Sequence, residues 1–181
     1  MKRALPVVPL LLASLLLASC AQLETTAGPD QVFELSGRLA ARQGQEAFTG
    51  NVSWRHAGGS DELLVTSPLG QGVARIVRKG GSVVLTTAEP REYRAPDVAS
   101  LTEKALGFRL PLEGLADWVR GRPAPGAPAS VEKRPDGRAS VIEQSGWRIE
   151  YLEYDPGSGL PRRLRLAYPG VDLRLAISEW K

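Results

Sequence analysis

The segments "FELSGRLAAR" (Phe33–Arg42) and "FTGNVSWRH" (Phe48–His56) decide the fold class of this chain. In the first segment, every second residue is apolar or small: Phe33, Leu35, Gly37, Leu39 and Ala41. The residues between them are mostly polar or charged, among them Glu34, Ser36, Arg38 and Arg42. The second segment alternates in the same way. A period of two predicts strands with one dry and one wet face, which is typical of antiparallel sheets.

Further short runs of strand character follow along the chain. They are separated by breaks that contain many of the 19 glycines and 14 prolines. The runs are "ELLVTS" (62–67), "GVARIVRK" (72–79), "SVVLTTA" (82–88), "REYRA" (91–95), "SVEKR" (130–134), "ASVIEQ" (139–144), "WRIEYLEY" (147–154), "RRLRLAY" (162–168) and "VDLRLAISEW" (171–180). With the first two segments they predict about eleven strands. The pair Asp136-Gly137 predicts a tight hairpin between two of them.

Two segments between these strands change to a helical period. They are "PDVASLTEKALG" (96–107), with Asp97 as the candidate N-cap, and "PLEGLADWVRG" (111–121). Both predict short amphipathic helices that pack one face on the sheet. Eleven strands rarely stay flat, and a curled sheet has an apolar concave side that must be filled or covered. The sequence therefore predicts a mainly β fold, a curved antiparallel sheet with two or three short helices across its opening.

The start of the chain has the order of a secretory leader. Met1-Lys2-Arg3 is basic, and "ALPVVPLLLASLLLAS" (4–19) carries no charge. Its dense apolar part is only nine residues long (10–18), whereas a membrane-spanning helix needs about 20. The leader ends in "LASC" (17–20), which closely resembles the bacterial lipobox. That resemblance implies that the leader is cut before Cys20, and that this cysteine and the new amino terminus are acylated.

These features divide the chain into three parts. We expect residues 1–19 to be a lipoprotein signal peptide, residues 20–30 to be a lipidated tether and residues 31–181 to be the folded domain. Ala21 and Gln22 follow the cysteine. Retention of bacterial lipoproteins in the inner membrane usually implies Asp directly after the cysteine, so the lipobox resemblance favours the outer membrane. One acyl chain anchors a protein only marginally, whereas two or more hold it stably.

The composition argues against several classes of function. The formal net charge of +3 falls to +1 without Lys2 and Arg3, so we expect no nucleic-acid partner. Because Cys20 is the only cysteine, no disulfide can form within the chain. His56 is the only histidine, and its place beside the turn "AGGSD" predicts a solvated side chain. We expect no catalytic residue, no metal site and no cofactor.

Seven segments in order resemble the LolB family of outer-membrane lipoprotein receptors. They are "FELSGRLAAR", "TGNVSWRH", "LLVTSPLGQGVARI", "LGFRLPLEGLADWVRG", "SGWRIEY", "LPRRLRL" and "LRLAISEW". The resemblance covers about residues 33–180, besides the lipobox. It implies an unclosed antiparallel half-barrel of eleven strands, covered by helices and enclosing an apolar cavity.

The resemblance also implies an activity and its partners. A LolB-like protein accepts triacylated lipoproteins from the periplasmic carrier LolA and inserts them into the inner leaflet of the outer membrane. It works by shape and apolar binding, without nucleotide hydrolysis. We accordingly expect a monomer, anchored by lipid at the periplasmic face of the outer membrane. Its partners are a LolA-like carrier, acylated lipoprotein cargo and membrane lipid.

The candidate site residues fall into two groups. Leu69, between Pro68 and Gly70, matches the family's protruding loop leucine, which is implied to enter lipid and trigger release. The alternative is that Leu69 folds back onto its own hairpin. The candidate residues for lining the cavity are Phe33, Leu35, Trp54, Trp118 and Trp147. For the tryptophans, ordinary core packing is an equally open interpretation.

Two other classes of protein remain as alternatives. A structural or assembly lipoprotein of the outer membrane would bind its partners through an exposed edge strand and would have no internal cavity. A periplasmic hydrolase would have a cleft with a perturbed carboxylate or serine. Binding of a fluorescent fatty acyl compound to the chain lacking Cys20 discriminates between these alternatives and an acyl-chain receptor.

Overall fold

A computed structural model describes residues 32–88, 92–95, 97–106 and 112–181. Cys20, the predicted signal peptide and the predicted tether lie outside these residues. The elements in chain order are β1 (Phe33–Gln43), β2 (Glu46–Ala57), β3 (Ser60–Thr66), β4 (Gly72–Lys79), β5 (Ser82–Thr87), β6 (Glu92–Ala95), α1 (Val98–Leu106), α2 (Leu112–Trp118), β7 (Ala129–Lys133), β8 (Ala139–Gln144), β9 (Trp147–Tyr154), β10 (Pro161–Tyr168) and β11 (Val171–Trp180). Neither of these two helices is long and apolar enough to cross a bilayer.

The eleven strands form one antiparallel sheet in the order β6-β5-β4-β3-β2-β1-β11-β10-β9-β8-β7. Each strand pairs with its neighbour in sequence, except that β1 and β11 pair with each other and β6 and β7 do not pair. Strand β1 lies in the middle of the sheet, between β2 and β11. Because β6 and β7 are the two edges, the sheet is unclosed. The prediction of an unclosed antiparallel sheet of eleven strands with a few short helices is confirmed.

The two helices lie in the connection between the edge strands β6 and β7. Helix α1 begins as predicted, because Oδ1 of Asp97 accepts a hydrogen bond from the backbone N–H of Ser100 at 2.7 Å. Helix α2 ends in a tight turn in which the N–H of Gly121 donates to the carbonyl oxygen of Trp118 at 3.0 Å. Gly121 has a φ of +81°, a backbone conformation that glycine adopts without strain.

One hydrophobic cluster joins the dry face of the sheet to both helices. The sheet contributes the alternate residues that the sequence pattern placed on one face, for example Val52 and Trp54 in β2. The helices contribute Val98 and Leu101 from α1 and Leu112 from α2. The amphipathic helices therefore cover the apolar face of the sheet, as their periodicity predicts.

Gly37 occupies a point of close backbone approach between β1 and β11. The register of the two strands shifts between Ser36 and Gly37. A Cβ atom added at Gly37 would lie 2.3 Å from the carbonyl oxygen of Ala176, which is a backbone atom and cannot rotate away. Only glycine fits this position without displacing β11.

We predict that Gly37→Ala lowers the free energy of unfolding by about 1–3 kcal/mol, because the strands must move apart. Urea denaturation of the unanchored chain, residues 21–181, measures the effect. Gly72→Ala is the matched control, since a Cβ at Gly72 meets no atom within 4 Å. Equal denaturation midpoints for the two variants would contradict the prediction.

Candidate functional site

The turn between β3 and β4 presents an uncharged tip to solvent. Two backbone hydrogen bonds close the turn. The N–H of Gly70 donates to the carbonyl oxygen of Ser67 at 2.9 Å, and the N–H of Ser67 donates to the carbonyl oxygen of Gln71 at 2.7 Å. Pro68 at the second position and Gly70 at the fourth suit a type I turn. Gly70 then takes a φ of +86°. The sequence "SPLGQG" thus forms a defined turn with Leu69 near its tip.

Leu69 is the most exposed large apolar side chain of the described chain, with 90% of its surface accessible. It does not fold back onto its own hairpin, which was the alternative arrangement. Pro68 and Gly70 on either side are also exposed. A leucine in this position gains nothing from its apolar character within the domain. Its predicted role in membrane insertion stays a prediction.

The five candidate cavity residues all lie in the hydrophobic cluster between the sheet and the helices. Phe33, Leu35, Trp54, Trp118 and Trp147 are each at most 5% exposed. They are close to one another in pairs: the rings of Phe33 and Trp54 lie 5.1 Å apart, and those of Trp118 and Trp147 lie 6.2 Å apart. The structure brings these residues together in the cluster between the sheet and the helices, and their role in lining a cavity stays a prediction.

Two pockets lie beside helix α2 or the segment that follows it. The larger, about 410 Å³, is lined mainly by the segment after α2 and the β7–β8 hairpin, with Arg120, Lys133 and Arg138 among its residues. The smaller, about 260 Å³, includes Trp118 and Gln144. Neither is lined by Phe33, Leu35, Trp54 or Trp147. These four side chains pack against their neighbours in this conformation, so an acyl chain that reaches them must displace some of those contacts.

A buried carboxylate lies beside the apolar cluster at the end of the sheet where β1 begins. The side chain of Asp61 is fully buried. Its Oδ1 accepts a hydrogen bond from Nε1 of Trp54 at 2.8 Å and lies 2.7 Å from Nδ1 of His56. Its Oδ2 accepts from Nε of Arg78 at 2.6 Å. Strands β2, β3 and β4 are thereby tied together by one acidic side chain.

The prediction that His56 is solvated is wrong. The residue is 9% exposed, and its ring stacks on Phe33 with the ring centres 5.0 Å apart. The turn beside it covers only residues 58–59, so His56 still pairs with Asp61 of β3. Because side chains alternate along β2, His56 points to the buried face of the sheet. The neighbouring Asp61 supplies the polar partner that this inward histidine requires.

A second buried polar residue, Gln144 at the end of β8, holds helix α2 and the segment after it. Its Oε1 accepts hydrogen bonds from Nε1 of Trp118 at 2.7 Å and from the N–H of Ala124 at 2.8 Å. Its Nε2 donates to the carbonyl oxygens of Ala124 at 2.8 Å and Ala127 at 2.9 Å. All four hydrogen-bonding positions of the amide group are occupied. We call these four hydrogen bonds the Gln144 clasp.

Tyr151 in β9 adds another contact to the same helix. Its hydroxyl donates a hydrogen bond to the carbonyl oxygen of Trp118 at 2.7 Å. Burial raises the pKa of Tyr151 well above the usual value for a phenol, so the hydroxyl stays protonated and remains a donor at physiological pH. Helix α2 is therefore fixed to the sheet by polar contacts from both β8 and β9.

We predict that Gln144→Ala lowers the free energy of unfolding by about 2–4 kcal/mol. The substitution leaves the indole N–H of Trp118 and the N–H of Ala124 without their partner, and each buried unsatisfied group costs about 1–3 kcal/mol. Urea denaturation followed by tryptophan fluorescence measures the loss. Gln71→Ala, in an exposed turn, is the control and should change stability by less than about 0.5 kcal/mol. A similar small change for Gln144→Ala would contradict the clasp.

Ion pairs join the neighbouring strands β9 and β10. Glu150 in β9 pairs with Arg148 at 3.1 Å and with Arg165 of β10 at 3.6 Å. Glu153 pairs with Arg162 at 3.7 Å and Arg163 at 3.3 Å. Both Glu150 and Glu153 are partly exposed strand residues. Exposed pairs of this kind typically contribute at most about 1 kcal/mol each.

Sequence reasoning missed the roles of Asp61 and Gln144. A signal for both exists, because each occupies an inward position of an alternating strand. Asp61 shares a face with Leu63 and Val65 in β3, and Gln144 is buried at the end of β8. A polar residue at an apolar position predicts a buried hydrogen-bond network. Its partners come from distant segments, which no local pattern identifies.

Comparison with known proteins places these features in a family. The family model described as "Outer membrane lipoprotein LolB" matches residues 31–180. The outer-membrane lipoprotein LolB of Thiobacillus denitrificans is 44% identical over 147 residues, which cover 81% of this chain and 78% of that protein. The LolB of Chromobacterium violaceum is 38% identical over 184 residues, which cover 96% of this chain and 98% of that protein.

A solved structure supports the fold. The crystal structure of a LolA superfamily protein from Nitrosomonas europaea aligns with a TM-score of 0.52 over 84% of this chain and 86% of that chain. At 14% sequence identity, this similarity concerns the fold alone. Since the family model spans nearly all of the described residues and the relatives match over most of their length, the chain belongs to the LolB family of outer-membrane lipoproteins.

Proposed function

We propose that this outer-membrane lipoprotein accepts triacylated lipoproteins from a LolA-like periplasmic carrier and inserts them into the inner leaflet of the outer membrane. The observation that carries the proposal is Leu69, 90% exposed at the tip of an uncharged turn, on a domain whose other candidate residues form one apolar cluster. Transfer proceeds by apolar binding, without catalysis or nucleotide hydrolysis, and a monomer performs it.

The acyl chains of the cargo bind on the concave side of the sheet. Acyl chains need no hydrogen bonds, so side chains such as Phe33, Leu35 and Trp147 offer the right chemistry. Each apolar Å² removed from water contributes about 25 cal/mol, which offsets the contacts that are lost when the cluster opens. The opening lies between the edge strands, where the helices cover the sheet.

Delivery to the membrane depends on two residues, Cys20 as the anchor and Leu69 as the residue that enters lipid. Cys20 is acylated when residues 1–19 are removed, and it anchors the protein in the outer membrane. Residues 20–30 connect this anchor to the folded domain. Leu69 enters the lipid and opens a path for the cargo. Transfer is downhill if the receptor binds acyl chains more strongly than the carrier does, and if the bilayer binds them more strongly still.

The test is transfer of a fluorescent triacylated lipoprotein from the purified carrier. Unanchored receptor, residues 21–181, is added first, and vesicles of outer-membrane phospholipids are added second. We expect the cargo to co-purify with the receptor after the first step and with the vesicles after the second. The same lipoprotein without acyl chains is the control and should do neither. Acylated cargo that stays on the carrier would overturn the proposal.

A further inference from the structure

The larger of the two pockets, of about 410 Å³, is lined by four cationic side chains and, among the described residues, by no carboxylate. The cationic residues are Arg120, Arg122, Lys133 and Arg138. The first two follow helix α2, whereas the other two flank the turn between β7 and β8. The five candidate acyl-binding residues, all of them described, do not line this cationic pocket, so it is a separate feature of the domain. Its volume falls within the range of about 300–1,000 Å³ that is usual for small-molecule sites.

Carboxylates beside the cationic pocket offset only part of its positive charge. Asp117 pairs with Arg120 at 3.2 Å and with Arg122 at 2.6 Å. Asp136 pairs with Arg138 at 2.6 Å. Within the described part of the chain, the lysine of the pocket has no carboxylate partner. Four cations therefore share two carboxylates, which leaves two positive charges at the pocket.

Tyr154 in β9 holds two guanidinium groups at the cationic pocket. Its ring centre lies 4.7 Å from the guanidinium carbon of Arg138 and 5.3 Å from that of Arg134. Its hydroxyl donates a hydrogen bond to the carbonyl oxygen of Ala139 at 2.8 Å, which fixes the ring. Asp136 also accepts hydrogen bonds from Arg138, from Nε at 2.9 Å and from Nη2 at 2.6 Å. A guanidinium group that is already held in place loses little entropy when it binds an anion.

Arg120 is the most deeply buried of the three arginines that line the pocket, with a side chain only 10% exposed. Its guanidinium carbon lies 5.2 Å from the ring centre of Phe33, and its Nε donates to the carbonyl oxygen of Ala116 at 2.8 Å. Burial and the charge of Arg122 lower the pKa of Arg120, and Asp117 does not fully oppose them. An anion in the pocket would offset this repulsion between the two arginines.

We propose that the cationic pocket binds a phosphate monoester. At pH 7 such an ester carries a charge of about −1.5 to −2, which matches the two positive charges left at the pocket. Arg122 and Arg138 are partly exposed, at 46% and 39%, so their planar guanidinium groups can pair with phosphate oxygens. Pro123 and Val131 in the lining offer apolar contact to the organic part of the ester. A soluble phosphoester and the head group of phosphatidic acid share this chemistry.

The test is binding of sn-glycerol 3-phosphate to the unanchored chain, residues 21–181, by isothermal titration calorimetry at neutral pH. We expect saturable binding of one ester per chain, whereas glycerol alone should not bind. Lys133→Gln should weaken binding by about tenfold, because it removes a charge-assisted hydrogen bond to the phosphate. Lys79→Gln is the matched control and should leave binding unchanged, since Lys79 is likewise an exposed last residue of a strand but does not line the pocket.

Flotation with vesicles separates the two sources of the phosphate. Vesicles of phosphatidylcholine with phosphatidic acid are compared with vesicles of phosphatidylcholine alone. Extra binding to phosphatidic acid that Lys133→Gln loses and Lys79→Gln retains identifies the lipid head group as a ligand. Binding of sn-glycerol 3-phosphate without this extra flotation identifies a soluble phosphoester. If neither the soluble ester nor the vesicles show binding that depends on Lys133, the proposal is overturned.

Discussion

Replacing Leu69 by Glu should stop insertion of acylated cargo into vesicles while leaving the domain folded. Burial of a leucine side chain in an apolar medium contributes about 1.5–3 kcal/mol, and a carboxylate at that position opposes entry into lipid. Loss of the leucine contribution alone corresponds to a decrease of at least about tenfold in insertion rate. Because Leu69 is 90% exposed, the free energy of unfolding should change by less than about 0.5 kcal/mol.

The assay follows movement of fluorescent triacylated lipoprotein from the receptor to vesicles. Leu152→Glu is the matched control, since Leu152 is also exposed, at 57%, but lies within β9 rather than in the turn that carries Leu69. Binding of cargo by Leu69→Glu should persist, because the substitution lies outside the apolar cluster. Insertion by Leu69→Glu at the rate of the unaltered protein would show that the turn has no part in delivery.

Asp61→Ala should destabilise the domain more than either Gly37→Ala or Gln144→Ala. The substitution removes the carboxylate that accepts a hydrogen bond from the indole N–H of Trp54. It also takes this carboxylate away from Arg78, whose side chain is only 14% exposed. Loss of one partner from a buried ion pair typically costs about 3–5 kcal/mol. We therefore expect a decrease of that size in the free energy of unfolding, measured by urea denaturation of residues 21–181.

Glu62→Ala provides the control for Asp61→Ala on the same strand. Glu62 also pairs with an arginine of β4, Arg75, at 2.6 Å, but both side chains are about half exposed. Exposed pairs contribute about 0–1 kcal/mol, so this variant should remain close to the unaltered protein. Similar losses for the two variants would mean that burial of Asp61 does not set the strength of its interactions.

Much of the fold follows from local sequence signals. Alternation in segments such as Phe33–Gln43 assigns strand and face together, because side chains of a strand point to opposite sides in turn. Asp97 and the pair Asp136-Gly137 mark a helix start and a hairpin by their hydrogen bonding and backbone conformation. The exposure of Leu69 also has a local cause, since Pro68 and Gly70 define the turn that presents it.

Other features depend on contacts between distant segments, and local patterns do not reveal them. His56 is buried because Asp61 and Phe33 meet it across neighbouring strands. Gln144 accepts a hydrogen bond from Trp118, which lies 26 residues earlier in the chain. The packing of Trp54 and Trp147 in one cluster likewise depends on how the sheet curls and how the helices cover it. The sequence indicates which residues face inward, but not how much space they leave.

The free edges of β6 and β7 have a consequence for cargo of different sizes. In a closed barrel the circumference is set by strand number and stagger, so widening it requires breaking a ladder of backbone hydrogen bonds. Here the two margins can separate or approach while every ladder between neighbouring strands stays intact. A wider gap between these edges would therefore cost side-chain contacts between the helices and the sheet rather than backbone hydrogen bonds between neighbouring strands.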